Sequence, residues 1–281
     1  MSKILIITAI QKRYSCRTFN PKSIEREKVE ALENILQGNT QGPFGAKLRF
    51  RLVDFKVMSK EEIRACGTYG VIRGASHFIV GAVHKGAGAL EDFGYGMERN
   101  ILQAQALGLC TCWLGGTFRR TGFSDRIGLR DNELLPAVAP VGYGADKRSF
   151  ADRVIRFGAG SDKRKPWEVL FFDREFHALK KEAAGPYALP LECIRLGPSA
   201  SNKQPWRIVQ EEHLFHFYLE QTPGYAGSNG EVKLQHVDMG IAMSHFELAS
   251  RELGMEGRWM FADPGMQTGS WEYVATWTAV S

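Results

Sequence analysis

Arg13, Ser15 and Arg17 alternate with other residues near the start of the chain. Pro21 follows shortly after them, and because a proline disfavours helix in the residue before it, we predict an extended segment here. Alternate side chains of an extended segment point the same way, so these three would share one face. Two guanidinium groups and a hydroxyl are the donors that a phosphate dianion requires. The spacing therefore predicts a phosphate clamp, with an ordinary solvated loop as the alternative.

Two prolines bracket a polar loop at residues 197–206, which reads Gly-Pro-Ser-Ala-Ser-Asn-Lys-Gln-Pro-Trp. The hydroxyl and amide groups between Pro198 and Pro205 offer several hydrogen-bond donors and acceptors to a planar heterocycle. A strand is predicted directly after the loop, from Trp206 to Val209. The alternative is a tight structural turn in which the asparagine serves as a cap.

Together the two segments resemble the nitroreductase family of FMN flavoproteins. The resemblance implies that Arg13, Ser15 and Arg17 bind the FMN phosphate. It also implies that the polar loop reaches the flavin, which in the homodimeric family members it does from the partner subunit. The residues that match the family's loop motif are Pro198, Ser199, Asn202, Gln204, Pro205 and Trp206. The loop residues expected to contribute to the cofactor site are Pro198, Ser199, Ser201 and Asn202.

Two further segments resemble parts of the same family. Gly115 and Gly116 match a turn after a strand, and the resemblance implies that their backbone approaches flavin N5 closely. Val141-Gly142-Tyr143 followed by Lys147-Arg148 matches the family's closing segment, whose basic residue also reaches the phosphate. We therefore add Gly115, Gly116 and Arg148 to the expected cofactor-binding residues.

The resemblance implies an NAD(P)H-dependent oxidoreductase that passes hydride through FMN to a nitroaromatic, a quinone or another oxidised acceptor. A cation near N1 and O2 would stabilise the anionic reduced flavin, and Arg17 and Arg73 are the candidates. A surface position is the alternative for Arg73. No side chain is predicted to act as a catalytic acid or base. Two other classes stay open, a flavin-binding or sensing protein without turnover and a degenerate scaffold that binds no flavin.

The order of the motifs departs from the family's pattern, in which both lie near the start of one subunit. Here residues 38–43 read Gly-Asn-Thr-Gln-Gly-Pro where the polar loop of the first half belongs. Only Arg174 occupies the place of the clamp in the second half. Each half lacks what the other retains, which is the pattern of a fused dimer with one flavin site. We predict halves at 1–150 and 151–281 and a chain that needs no homodimer.

An internal repeat supports this division. The stretch that begins Asp92-Phe-Gly-Tyr-Gly recurs at Asp238 with a constant offset of 146 residues, and later Leu, Leu-Gly and Trp residues recur with it. Small residues at matching helical positions let two helices approach closely, so we expect the helices to cross near a pseudo-twofold axis. The predicted fold is α+β and nitroreductase-like, with two halves forming an internal pseudo-dimer. The aligned small residues are Gly94 with Gly240 and Gly96 with Ala242.

Periodicity and capping residues predict the other elements. The expected helices lie at residues 4–11, from a cap at Ser23 to Gly38, after a capping box at 59–62 and at 90–107. The expected strands lie at residues 50–55, 77–83 and 109–114.

The composition excludes several classes. The 281 residues are 44% hydrophobic and 24% charged, as in ordinary globular proteins. The net charge of +5 is spread without a dense basic block, which favours small phosphorylated ligands over nucleic acid. The five cysteines fit neither a disulfide framework nor a metal site, and Cys110 and Cys112 are interpreted as buried thiols. No stretch resembles a secretory signal or a membrane span, so a cytoplasmic protein is expected.

Overall fold

The structure is a computed structural model, and the residues it describes are 5–55, 66–67, 72–116, 118–145, 163–225 and 230–280. The described helices are α1 (Ile6–Lys12), α2 (Arg26–Gly38), α3 (Ala89–Ala106), α4 (Arg120–Ile127), α5 (Ala188–Leu196) and α6 (Leu234–Glu252). The described strands are β1 (Leu48–Asp54), β2 (His77–His84), β3 (Cys110–Thr111), β4 (Glu133–Leu134), β5 (Val138–Gly142), β6 (Phe171–Asp173), β7 (Trp206–Glu211), β8 (Leu214–Leu219), β9 (Gly257–Met260) and β10 (Glu272–Ala279). The predicted helix at 59–62 and the predicted site residue Arg148 lie outside the described residues.

The long helices α3 and α6 pack directly against each other at two glycines. A Cβ atom on Gly94 would meet the carbonyl oxygen of Val237, and one on Gly240 would meet the carbonyl oxygen of Glu91. Both distances are below 3.0 Å, which real Cβ atoms essentially never show. Because only glycine lets the two backbones come this close, the predicted helix crossing at the repeated glycines is confirmed.

The other pair of aligned small residues lies away from the crossing. A Cβ atom on Gly96 would lie 2.6 Å from Leu48 Cδ1 and 3.3 Å from the ring of Phe50, both on β1. Ala242 is fully buried in the core beneath the second sheet. These positions therefore serve the packing of each helix inside its own half, and the prediction that they lie at the crossing is wrong.

Each long helix packs with a sheet of its own half. The first sheet has the order β1-β2-β5-β3, with β4 paired to β2, and the second has the order β6-β7-β8-β10-β9. In the first sheet Ile79 and Val83 of β2 contribute to one core cluster, while Phe78 and Val80 contribute to another. Alternate side chains point to opposite faces of a strand, so β2 is covered on both faces, as its continuous apolar run predicts.

The two cores interlock across the helix pair. Tyr95 of α3 packs into the core of the second half, and Val237 of α6 packs into the core of the first half. The Tyr95 hydroxyl also donates to Glu247 Oε2 on α6 at 2.7 Å. The exchange of side chains means that neither helix buries its apolar surface without the other. The boundary between halves near residue 150 stays a prediction.

The start of α2 differs from the prediction. The helix begins at Arg26 with Glu25 at the N-cap, so the predicted cap at Ser23 is wrong. The Glu25 carboxylate accepts a hydrogen bond from the Tyr143 hydroxyl and pairs with Lys22 at 2.8 Å. Contact with a residue so distant in sequence is not visible from a local capping pattern.

The strand predicted at 109–114 is also shorter than expected. Its ladder covers Cys110–Thr111, and a single bridge joins Leu114 to Val138. Trp113 lies between them outside any ladder, and its indole N–H donates to Glu98 Oε2 at 2.7 Å. Over the described ranges, no helix is both long and apolar enough to cross a membrane. The same ranges hold no metal-binding cluster of His, Cys, Asp or Glu, and their cysteines form no disulfide bond.

Candidate functional site

The predicted clamp segment is extended and lies beside β3 of the first sheet. Ser15 forms a parallel bridge with Thr111, and the Cys16 N–H donates to the Thr111 carbonyl oxygen at 2.9 Å. Cys16 is buried, whereas Ser15 and Arg17 at the alternate positions are half-buried. The backbone pairing therefore turns Ser15 and Arg17 to one side, and the predicted extended conformation is confirmed.

Arg73 lies directly beside the clamp. Its N–H donates to the Arg17 carbonyl oxygen at 2.9 Å, and its own carbonyl accepts from the Phe19 N–H at 2.8 Å. The Arg73 side chain is exposed. The position of Arg73 beside Arg17 agrees with an anion site that both residues share. Its exposure agrees with the alternative prediction that Arg73 is an ordinary surface residue.

Arg13 is the most deeply buried member of the clamp. It follows α1, and its N–H donates to the Ala9 carbonyl oxygen at 2.9 Å. Its side chain is only 4% exposed, and its Nε lies 4.0 Å from Glu98 Oε1. Its Nε and Nη1 are buried and have no hydrogen-bond partner within the described part of the chain. Buried N–H groups without an acceptor are costly, so this guanidinium fits an anionic group such as the FMN phosphate.

The two glycines of the predicted flavin-facing turn have different surroundings. A Cβ atom on Gly115 would lie 2.8 Å from Leu234 Cδ2, at the start of α6 in the other half. A Cβ atom on Gly116 would have no heavy atom within 4 Å. Gly115 thus lies close to Leu234 of the other half, and the Cβ position of Gly116 is open.

The polar loop at 197–206 is held by its own side chains. The Ser199 hydroxyl accepts the Gln204 N–H at 2.9 Å, and Ser201 and Asn202 adopt positive φ angles of 47° and 55°. Positive φ is unusual for residues other than glycine and here shapes a tight turn. Ser201 is exposed at its tip, while Pro198 is buried.

The side chain of Asn202 contacts the segment that leads into the second half. Its Nδ2 donates to the Lys163 carbonyl oxygen at 2.8 Å, and its Oδ1 lies 3.3 Å from Arg164 Nη1. Gln204 Oε1 accepts the Lys165 N–H at 2.8 Å in the same region. The asparagine therefore anchors the polar loop to this segment, and its part in cofactor binding stays a prediction.

Two repeated aspartates hold corresponding loops. Asp238 Oδ1 accepts the Ala200 N–H of the polar loop at 2.9 Å. Asp92 accepts the N–H groups of Phe44 and Ala46 at 2.7 Å each, next to residues 38–43. Burial raises the pKa of Asp238 to about 8 and that of Asp92 to about 6, where the two N–H donors oppose the shift. Residues 38–43 therefore lie where the repeat predicts the counterpart of the polar loop.

A buried glutamate on α3 connects the clamp, the turn and the second half. Glu98 is fully buried, and its Oε2 accepts the Trp113 indole N–H at 2.7 Å. Its Oε1 lies 2.9 Å from Nε2 of His245 on α6 and 4.0 Å from Arg13 Nε. His245 Nδ1 lies 2.7 Å from the carbonyl oxygen of Cys193, four residues before the polar loop. The segments predicted to form one site therefore meet around Glu98 and His245.

Sequence reasoning missed both of these residues. Neither Glu98 nor His245 belongs to a motif that the sequence analysis singles out. The available signal was the position of Glu98 between Met97 and Ile101 in a helix whose neighbouring side chains are almost all buried. A charged residue in such a helix requires a specific partner, which the pattern of one helix cannot identify.

A sequence comparison identifies the family. The family model described as "Putative TM nitroreductase" matches residues 5–250. The chain belongs to this nitroreductase family. The match covers the clamp, the turn, the polar loop and almost all of α6. No curated protein sequence matches the chain.

Solved structures named as nitroreductases are similar in fold. A "putative nitroreductase" from Thermotoga maritima is 21% identical with a TM-score of 0.63, covering 99% of this chain and 94% of that chain. A nitroreductase with bound FMN from Desulfitobacterium hafniense is 19% identical with a TM-score of 0.43, covering 53% and 92%. A nitroreductase family protein from Clostridium novyi is 21% identical with a TM-score of 0.42, covering 52% and 90%. The first similarity shows the nitroreductase-like fold over nearly the whole chain.

Proposed function

We propose that this nitroreductase binds one FMN per chain and passes hydride from NADH or NADPH, through the flavin, to an oxidised small-molecule acceptor such as a nitroaromatic or a quinone. The observation that carries the proposal is the buried guanidinium of Arg13, whose Nε and Nη1 have no hydrogen-bond partner among the described residues. Membership of the nitroreductase family supports a flavin oxidoreductase as the broader class.

In this proposal Arg13, Ser15 and Arg17 bind the phosphate, and the polar loop borders the flavin ring. The bound flavin supplies the redox chemistry, and the protein supplies binding, orientation and charge. Arg17 and Arg73, whose backbones are hydrogen-bonded to each other, provide positive charge that stabilises an anionic reduced ring. The open approach to Gly116 leaves its backbone available to the ring edge. No side chain is assigned as a catalytic acid or base.

Because the clamp and the polar loop come from different halves of one polypeptide, we also propose that a single chain is sufficient for the site. The interlocked packing of Tyr95 and Val237 supports a monomer, since each half already has its partner. Light scattering of the FMN-loaded protein is expected to give the mass of one chain with one flavin. A dimer that loses flavin when it dissociates would contradict this part of the proposal.

The function is tested by the visible spectrum of the purified protein after incubation with FMN and desalting, followed by addition of NADH or NADPH without oxygen. We expect about one flavin per chain, bleached by a nicotinamide and reoxidised by a quinone or nitroaromatic. Retained flavin that neither nicotinamide bleaches would instead indicate a flavin-binding protein without turnover. A colourless protein would indicate a scaffold that binds no flavin.

The phosphate clamp has a matched control in the second half. Arg13→Ala combined with Arg17→Ala is expected to weaken FMN binding by about 100-fold or more, because each charge-assisted hydrogen bond contributes about 1.5–3 kcal/mol. Arg174 occupies the corresponding place of the second half, where its exposed side chain pairs with Glu211 at 2.9 Å. Arg174→Ala is expected to leave FMN affinity unchanged. Equal affinity of the double variant and the wild type in a flavin titration would exclude the clamp.

A further inference from the structure

We infer that His245 is a positively charged positioning residue that neutralises Glu98 and so leaves the charge of Arg13 available to an anion. The inference rests on the proposed function in one respect, since it takes the anion to be the FMN phosphate. Neither residue belongs to a motif that the sequence singled out. Through this pair, the second half contributes positive charge to a phosphate site whose ligands come from the first half.

The hydrogen-bond geometry fixes the protons of His245. Its Nδ1 lies 2.7 Å from the Cys193 carbonyl oxygen, which can only accept, so Nδ1 carries a proton. Its Nε2 lies 2.9 Å from Glu98 Oε1, so a second proton lies between these two atoms. Both side chains are fully buried, so solvent does not take the place of either partner.

The surroundings of Glu98 place that second proton on His245. Glu98 Oε2 accepts the Trp113 indole N–H at 2.7 Å, and Oε1 faces the Arg13 guanidinium at 4.0 Å. A donated hydrogen bond and a nearby cation both stabilise the ionised form of a carboxylate. Glu98 is therefore a carboxylate and His245 an imidazolium that donates from both ring nitrogens.

The charge of the cluster follows from these assignments. Arg13 and His245 are cations, and Glu98 is the carboxylate between them, which leaves a net positive charge in a buried place. Buried charge without compensation is costly, so the cluster favours an anion. The unpartnered Nε and Nη1 of Arg13 are the donors that such an anion would bind. Without the imidazolium, Glu98 would neutralise Arg13 and repel a phosphate.

Three variants test this charge balance. In His245→Gln the cluster loses one positive charge, so FMN and inorganic phosphate are both expected to bind about tenfold more weakly or worse. In Glu98→Gln the amide can accept from Trp113 and donate to His245 Nε2, so His245 becomes neutral and the net positive charge is kept. Glu98→Gln and the double variant Glu98→Gln with His245→Gln are therefore expected to bind FMN within about threefold of the wild type.

The recovery in the double variant separates the charge role from a merely structural one. Two changes that only damaged packing would add, so a double variant as weak as His245→Gln would overturn the inference. Glu247 on α6 supplies the control, because it accepts the Trp259 indole N–H at 2.6 Å and the Tyr95 hydroxyl at 2.7 Å. Glu247→Gln removes a similarly buried carboxylate from the other half and is expected to leave FMN affinity unchanged. Thermal melts of every variant identify loss of folding.

A measurement that needs no flavin keeps this inference distinct from the proposed function. Nitrogen NMR of protein labelled with ¹⁵N-histidine is expected to show both ring nitrogens of His245 protonated in the wild type and only one in Glu98→Gln. Two protonated nitrogens in a wild type that binds no FMN would retain the charge assignment and refute the proposed function. A neutral His245 ring in a wild type that does bind FMN would refute the inference alone.

Discussion

Gly240→Ala tests the feature on which both halves depend, the direct contact of α3 and α6. A Cβ atom at this position would meet the Glu91 carbonyl oxygen and lie 2.6 Å from the Tyr95 backbone nitrogen. Both atoms belong to the backbone of α3, so no side-chain rotation relieves the overlap. The helices must separate, and the cores that Tyr95 and Val237 join must open with them.

The expected magnitude combines two opposing effects. Alanine is favoured over glycine inside a helix by about 1 kcal/mol. Overpacking a well-packed interior costs about 1–3 kcal/mol and occasionally more, and a rigid backbone contact belongs to the upper end. An overpacking cost of about 3 kcal/mol less the gain of about 1 kcal/mol gives an expected net loss of about 2 kcal/mol. A chain of this size loses about 2–4 °C per kcal/mol, so the melting temperature is expected to fall by roughly 4–8 °C.

The same substitution at Gly38 is the control. Gly38 is the last residue of α2, and a Cβ atom there would have no heavy atom within 4 Å. Gly38→Ala is expected to leave the melting temperature unchanged or to raise it slightly, by circular dichroism under the same conditions. Gly94→Ala combined with Gly240→Ala is expected to cost less than the sum of the single changes, because one separation of the helices relieves both overlaps. A Gly240→Ala protein as stable as the wild type would refute the close crossing.

Three further predictions concern a buried acid, an ion pair and the polar loop. Burial raises the pKa of Asp238 from 3.8 to about 8, so the folded protein holds the proton more tightly than the unfolded chain. The free energy of unfolding is therefore expected to fall by about 1.4 kcal/mol per pH unit as the pH rises between these two values. In Asp238→Asn this dependence on pH is expected to be weaker, which melts at several pH values would show. Arg49→Met leaves Glu133 buried without the guanidinium that pairs with it at 2.6 Å, and denaturant unfolding is expected to show a loss of about 3 kcal/mol. Asn202→Ala removes the 2.8 Å bond to the Lys163 carbonyl and is expected to weaken FMN affinity about tenfold, whereas unchanged affinity in a flavin titration would show that the anchor is dispensable.

The large elements of the fold could be predicted because their signals are local. The apolar run of β2, the long helix at Ala89–Ala106 and the end of α2 at Gly38 each follow from a pattern within a few residues. The helix crossing could also be predicted, since a glycine that recurs inside two helices has few explanations other than close approach. The extended clamp segment follows from spacing and from the proline after it.

What could not be predicted depends on contacts between distant residues. Glu25 at the start of α2 contacts Tyr143, and Trp113 of the predicted strand donates a hydrogen bond to Glu98. The charge of His245 depends on Cys193 and Glu98, which come from two other helices. The proximity of Gly115 to Leu234 of the other half is a further contact between distant residues. Each of these interactions joins residues that no local pattern relates.

The comparison of the two halves shows how a symmetric frame can carry an asymmetric site. The parts that hold the frame correspond in both halves, since Gly94 matches Gly240 at the crossing and Asp92 matches Asp238 in holding a loop. The groups that could bind an anion do not correspond. The guanidinium of Arg13 is buried and has two N–H-bearing atoms without a hydrogen-bond partner among the described residues, whereas its predicted counterpart Arg174 is exposed. Selection on folding preserves packing in both halves alike, whereas one retained ligand site constrains only the residues that contact it. We therefore expect a half without a clamp to keep a stable fold, whereas replacement of either crossing glycine lowers the stability of both halves.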